Sequence, residues 1–299
     1  MKTTKKIIPS ACDGLPLSVL ECIPDDVKGI VQIAHGMSEH KERYLPFMES
    51  LCQHGYACII HDHRGHGKSV YDRKDLGYFY DDSAKFIVED VHTVSQDLRK
   101  QFPDVPFILF GHSMGSLVVR VYMQKYDDTI DRLIVCGPPA KNAIISIAIA
   151  LVNILEKLYG SHHRSALIEK LSTGAYNKGI SLNAWLSKNP DNVEIYNADP
   201  DCGFRFTLNG YKNLFKLLKQ TYCPANWNKK NLNLPILFIA GSEDPVIVSA
   251  KSFEQARDFI SIQGYKNVSS HLFPGLRHEI LNEKNNQEIY DFILNFIQK

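Results

Sequence analysis

The sequence predicts an α/β fold, a mostly parallel, doubly wound sheet covered by helices and interrupted once by a helical insertion. Three observations carry this reading. Apolar runs that read as buried strands alternate with helical segments from about residue 29 onward. That alternation stops for about eighty-five residues after Pro138-Pro139, where helical patterns continue without a convincing strand. Finally, a glycine-serine-glycine turn, Gly111-His112-Ser113-Met114-Gly115, stands between an apolar strand and a helix.

The chain opens with two runs rich in Ile, Val and Leu around Asp13-Gly14, which predicts an antiparallel hairpin over 7–22. The strands expected after it are GIVQIA near 29, YACIIH near 56, PFILFG near 106, DRLIVCG near 131, PILFIAG near 235 and VSSHLF near 268. Residues 1–137 and 225–299 then form one core, and 138–224 form a helical cap inserted into it. The first cap helix, AIISIAIALVNILEKLY, has only Ser146, Asn153, Glu156 and Lys157 as polar positions, so its apolar face is unusually wide. Two readings stay open: a helix buried between cap and body, or a face open to lipid.

Composition removes several function classes. Among 299 residues, 44% are hydrophobic and 22% charged, the proportions of a globular protein, and the net charge of +1 comes without a basic stripe. No nucleic-acid partner is expected. The seven cysteines, at 12, 22, 52, 58, 136, 202 and 223, include no C-x-x-C pair and fit a reducing compartment. The N-terminal lysines precede no signal-like apolar run, and the stretch 144–152 falls far short of the roughly 20 residues that span a bilayer. A cytoplasmic protein is expected, peripheral at membranes if the cap face is open. Gly65-His66-Gly67 lacks the third glycine of a dinucleotide loop, because position 70 is Val. His61, Asp62, His63 and His66 are read as packing a turn, His162-His163 as solvated, and no metal or cofactor is expected.

The G-x-S-x-G turn after PFILF has the strand-turn-helix setting that projects a nucleophilic serine. The bare pattern arises by chance in roughly one chain in ten of this length. Its partners make it specific. Asp244 follows PILFIAG directly and is preferred to Glu243 for its shorter side chain, and His278 sits on a loop after the next strand. Serine needs an imidazole base held by a carboxylate, and Ser113, Asp244 and His278 occur in the required order. Two backbone N–H groups must receive the oxyanion. Met114 directly follows the serine, and Met37 lies on the loop that ends the GIVQIA strand.

HGMSEHKERY (35–44), HDHRGHGKS (61–69), GHSMG (111–115), EIYNADP (194–200), GSEDP (241–245) and the loop before His278 together resemble the monoglyceride lipase and lysophospholipase group of α/β-hydrolases. The resemblance implies an eight-stranded sheet, a helical cap acting as a lid, no cofactor and hydrolysis through an acyl-enzyme. It also implies that Glu39, Arg43 and Tyr196 line the polar end of the pocket, where a glycerol head group sits; Glu39 and Arg43, spaced i to i+4, could instead brace the oxyanion loop. Where the group usually carries a second histidine, three positions after the catalytic one, this sequence has Leu281.

The expected function is therefore a serine carboxylic ester hydrolase acting on monoacylglycerols or similar single-chain lipid esters. The alternatives are a lysophospholipase or broad carboxylesterase, and a non-catalytic binding module, against which the complete triad speaks. Hydrolases that need Asp at the nucleophile position are excluded by Ser113.

Overall fold

The computed structural model describes residues 1–177 and 180–299. Eight strands form one sheet in the order β1-β2-β4-β3-β5-β6-β7-β8. They span Lys2–Pro9 (β1), Pro16–Ile23 (β2), Gly29–Ala34 (β3), Tyr56–His61 (β4), Phe107–His112 (β5), Arg132–Cys136 (β6), Ile236–Gly241 (β7) and Val268–Phe273 (β8). β2 runs antiparallel to β1 and β4; the remaining pairs are parallel. Every strand expected from its apolar run is present. The hairpin starts earlier than expected, at Lys2, because β1 is an edge strand with only one covered face, so alternate exposed residues such as Thr3 and Lys5 satisfy it.

The nine helices among the described residues are α1 (Leu45–Gln53), α2 (Phe86–Gln101), α3 (Met114–Tyr126), α4 (Ile145–Tyr159), α5 (Ala166–Ser172), α6 (Pro190–Ala198), α7 (Leu208–Thr221), α8 (Ala250–Ile262) and α9 (Asn286–Gln298). All residues of β3, β4, β5 and β7 are buried, so alternate side chains enter two cores. Leu109 and Phe238 face one core with Val91 of α2, Leu117 of α3 and Phe253 of α8. Ile108, Phe110 and Ile239 face the other with Phe47 of α1 and Ile293 of α9. Helices on both faces are what a parallel sheet requires.

Between β6 and β7 the described chain forms α4 to α7 and no strand. α7 joins this segment to the body by packing against α3 and α4. Its start is fixed by Thr207, whose hydroxyl accepts from the Gly210 amide at 3.1 Å. α4 is different. Only Ile145 and Val152 of its fifteen residues are buried, and Ile147, Ile154 and Leu158 are 69%, 57% and 68% exposed. Part of the apolar face is thus open, while Ala148, Ile149, Leu151 and Leu155 pack half-buried on the core.

The carboxyl ends of β3, β5, β7 and β8 lie along one edge of the sheet, and the chain leaves them at the loop 36–38, at Ser113, at Asp244 and toward His278. Parallel strands place their functional loops at this edge.

Candidate active site

β5 and α3 meet at Ser113, whose backbone has φ 54° and ψ −117°. A non-glycine residue in that region costs about 1–3 kcal/mol, which the surroundings must hold. They do so through close packing. A Cβ on Gly115 would overlap the Ala34 carbonyl, and one on Gly111 would overlap the Gly115 carbonyl, so both glycines are needed for strand and helix to approach. The Ser113 amide donates to Cys136 O on β6 at 2.9 Å.

Asp244 and His278 pair as the sequence requires. Oδ2 of Asp244 accepts from Nδ1 of His278 at 2.8 Å, while its Oδ1 accepts from the Val246 amide at 2.8 Å. The second bond fixes the carboxylate, and the first puts the imidazole proton on Nδ1, leaving Nε2 free to take a proton. Asp244 and His278 are 3% and 2% exposed. Ser113 and His278 line one cavity, of about 940 Å³.

The loop after β3 also reaches this cavity through Gly36, Met37 and Ser38. It is pinned on two sides. Glu39 Oε1 accepts from the Gly36 amide at 2.5 Å and from Tyr44 Oη at 2.9 Å. On the other side the Ser38 carbonyl accepts from Tyr196 Oη at 3.0 Å and from the Gly203 amide at 2.9 Å. Met114, at the first position of α3, has no intrahelical acceptor for its N–H, and a helix N-terminus favours negative charge. The arrangement can receive an oxyanion between the two loops.

Behind the loop lies a buried charged network. Arg43 binds Glu39 at 2.6 Å and Glu279 through two bonds at 2.7 and 2.6 Å, and Asn192 donates to Glu279 at 2.7 Å. Burial opposes the charge on Glu39, but the His112 imidazole and the Arg43 guanidinium outweigh it and hold the carboxyl well below its ordinary range. Glu279 is likewise lowered, with burial overcome by Arg43. His112 is raised, burial being overcome by Glu39, and its Nε2 lies 3.1 Å from the His278 carbonyl. The network therefore links the loop 36–38 to the chain carrying His278.

Of the residues read from sequence, Ser113, His278, Met37, Met114, Glu39 and Tyr196 line the cavity. Asp244 stands behind His278. Arg43 sits beyond the wall, with its guanidinium 4.9 Å from the Tyr196 ring centre. Leu281 is not brought to the cavity: the turn Ile280–Asn282 points it into the core with Phe110 and Ile293. Sequence reading missed Glu279, His112 and Asn192; an acid directly after His278 was the one signal available. The turn histidines His35, His61, His63 and His66 are fully buried, and among the described residues both nitrogens of His61 and His63 lack partners. His162 is exposed and stacks on Tyr78 at 3.9 Å.

The family described as "Serine aminopeptidase, S33" matches residues 25–285. The chain belongs to that family. It is an α/β-hydrolase of the serine type. It is 29% identical over 275 residues to the monoacylglycerol lipase of Mycolicibacterium smegmatis, covering 92% of this chain and 90% of that one. It is 25% identical over 272 residues to the monoglyceride lipase of Mus musculus, covering 86% and 81%. The crystal structure of a thermostable carboxyl esterase from Bacillus coagulans in complex with glycerol superposes with a TM-score of 0.89 at 26% identity, covering 100% of this chain and 98% of that one.

Proposed function

We propose that this serine hydrolase cleaves monoacylglycerols or similar single-chain lipid esters through an acyl-enzyme on Ser113. The observation that carries the reading is the cavity: Ser113 opens into about 940 Å³ walled by Leu117, Ile145, Ala148, Leu151, Leu214 and Leu218, room and chemistry for an acyl chain. Ser113 Oγ attacks the ester carbonyl as His278 Nε2 takes its proton, with Asp244 stabilising the imidazolium. The Met37 and Met114 amides hold the oxyanion. Collapse expels the alcohol, which takes the proton from His278, and a water activated by His278 releases the fatty acid.

An aminopeptidase needs a free carboxylate for the substrate's ammonium group. The acidic residues among the described cavity lining are Glu39, Glu169 and Glu279, and each is already paired, with Arg43 or Arg205. Ester hydrolysis fits this lining better than peptide hydrolysis. Glu39 and Arg43 serve as braces for Met37, and the Tyr196 ring shapes the polar end, near the head group.

The segment 138–224 serves as the lid. Ile144, Ile147, Leu171, Leu182 and Val248 are exposed at the cavity mouth together with Lys141 and Lys170, a rim suited to the surface of a lipid aggregate. None of the described helices is long and apolar enough to cross a membrane. The cytoplasmic setting read from the cysteines belongs to this proposal.

A panel of a monoacylglycerol, a lysophospholipid, a short aryl ester and an aminoacyl anilide tests the reading. The monoacylglycerol is expected to have the highest kcat/KM and the anilide to stay at background. Turnover of the anilide with the lipid esters at background would overturn it.

A further inference from the structure

Outside the cavity wall, where the loop after β3 meets the connection from α6 to α7, three side chains of metal-binding chemistry converge. A ring nitrogen of His40, a carboxylate oxygen of Asp199 and Sγ of Cys202 lie within 4.8 Å of one another. Nε2 of His40 is 2.8 Å from Asp199 Oδ2. Cys202 is buried; His40 and Asp199 are half-buried. The opposite nitrogen of His40, Nδ1, is 2.9 Å from Glu42 Oε2. Glu42 is itself held by Lys5 and Lys41, each at 3.1 Å. A carboxylate on the far nitrogen of a histidine fixes the tautomer, so that the near nitrogen presents its lone pair, and it raises the basicity of the ring. The cluster thus has both a donor set and the outer carboxylate that orients a ligating imidazole.

We propose that His40, Asp199 and Cys202 form a binding site for a divalent transition metal, zinc being the ion that fits. Thiolate, imidazole and a single carboxylate suit zinc, whereas magnesium and calcium take oxygen ligands. Three protein donors leave one tetrahedral position for water.

The ligands come from the two segments that enclose Ser38. Gly203 and Tyr196 donate to the Ser38 carbonyl, and Ser38 Oγ donates to the Phe204 carbonyl at 2.8 Å. An ion on His40, Asp199 and Cys202 fastens the α6–α7 connection to the loop that carries Met37. Its role is positional, since none of its three ligands lines the cavity. Sequence spacing gives no hint of it, because His40 lies 159 positions before Asp199.

The test uses the full chain, stripped of metal by chelator dialysis and titrated with zinc chloride against a chromogenic indicator, then with cobalt(II). One equivalent of zinc is expected to leave the indicator for the protein and raise its melting temperature. Cobalt is expected to give a sulfur-to-metal charge-transfer band. Cys202→Ser should abolish the band and the thermal shift, and Glu42→Gln, which keeps every ligand, should weaken zinc affinity by about 10–100-fold. No uptake by the wild type overturns the site, as does uptake that Cys202→Ser leaves unchanged. Should Cys202→Ser fail to fold, the Glu42→Gln variant decides: unchanged zinc affinity contradicts the proposal.

Discussion

β5 and α4 both border the cavity, yet they are built on opposite terms. Every residue of β5 is buried and locked in register between β3 and β6, so Ser113 leaves the strand at a point fixed by hydrogen bonds on both sides. α4 buries only Ile145 and Val152, rests Ala148, Ile149, Leu151 and Leu155 half-buried on the core, and exposes Ile147, Ile154, Leu158 and Tyr159. The chemistry is placed by elements that cannot shift without breaking the sheet. Substitutions near β5 should therefore change rates or stability steeply, and substitutions at the exposed positions of α4 should change only where the enzyme works.

The largest effect that would sharpen this contrast lies at the sheet edge. Asp244→Asn should lower kcat by about 10⁴-fold, because the imidazole loses the partner that fixes its tautomer. Melting temperature should stay close to wild type. Steady-state kinetics on a soluble ester measures it, and full activity there with loss in Glu243→Gln would transfer the role to the neighbouring acid.

A second effect is on stability against pH, and it too comes from the body. Burial pushes His61 down to about 3 and His66 down to about 4, and lowers His35 and His63 as well, His66 adding its charge at His35 and His35 its charge at His63. Unfolded histidine titrates near pH 6.5, so between that value and the folded value the unfolded chain binds more protons, and stability falls as pH falls. For His61 and His66 the loss should be about 2 kcal/mol each at pH 5 relative to pH 7. The Glu39 and Glu279 network responds lower, losing its contribution only as pH drops past the ordinary carboxylate range and through their depressed values. Urea unfolding at pH 7, 6 and 5 checks the sign: a flat profile over that window would show that the turn histidines are charged in the folded chain.

The smallest effect belongs to α4. Replacing Ile147 and Ile154 by Lys should change stability by no more than about 0.5 kcal/mol per site, as at other exposed positions. Hydrolysis of a short soluble ester should be spared while liposome binding weakens. A lower melting temperature with loss of both activities would break the comparison, by showing that the helix is covered.

How far the sequence reveals the molecule follows the same divide. The parallel strands were legible because a strand covered on both faces must be a short continuous apolar run, and GIVQIA and PILFIAG are such runs. The order Ser113, Asp244, His278 is visible in the chain because each follows a strand at the same edge, and the structure sets Asp244 against His278 and opens Ser113 and His278 to one cavity. The exposure of α4 was not legible: four polar positions in seventeen define a wide apolar face without saying what covers it. Leu281 was read through its distance from His278, but a short helical turn rotates it into the core, and the neighbouring Glu279 meets Arg43 instead. The convergence of His40 with Asp199 and Cys202 depends on two loops meeting, which no local pattern records.

The central claim, that the buried edge of the sheet makes Ser113 the nucleophile, is tested most directly by covalent labelling. A fluorophosphonate should add once per chain, on the peptide containing Ser113, as read by mass spectrometry, and Ser113→Ala should take up none, lose esterase activity and keep its melting temperature. Equal labelling of the Ser113→Ala variant, or an adduct on another serine, would contradict it.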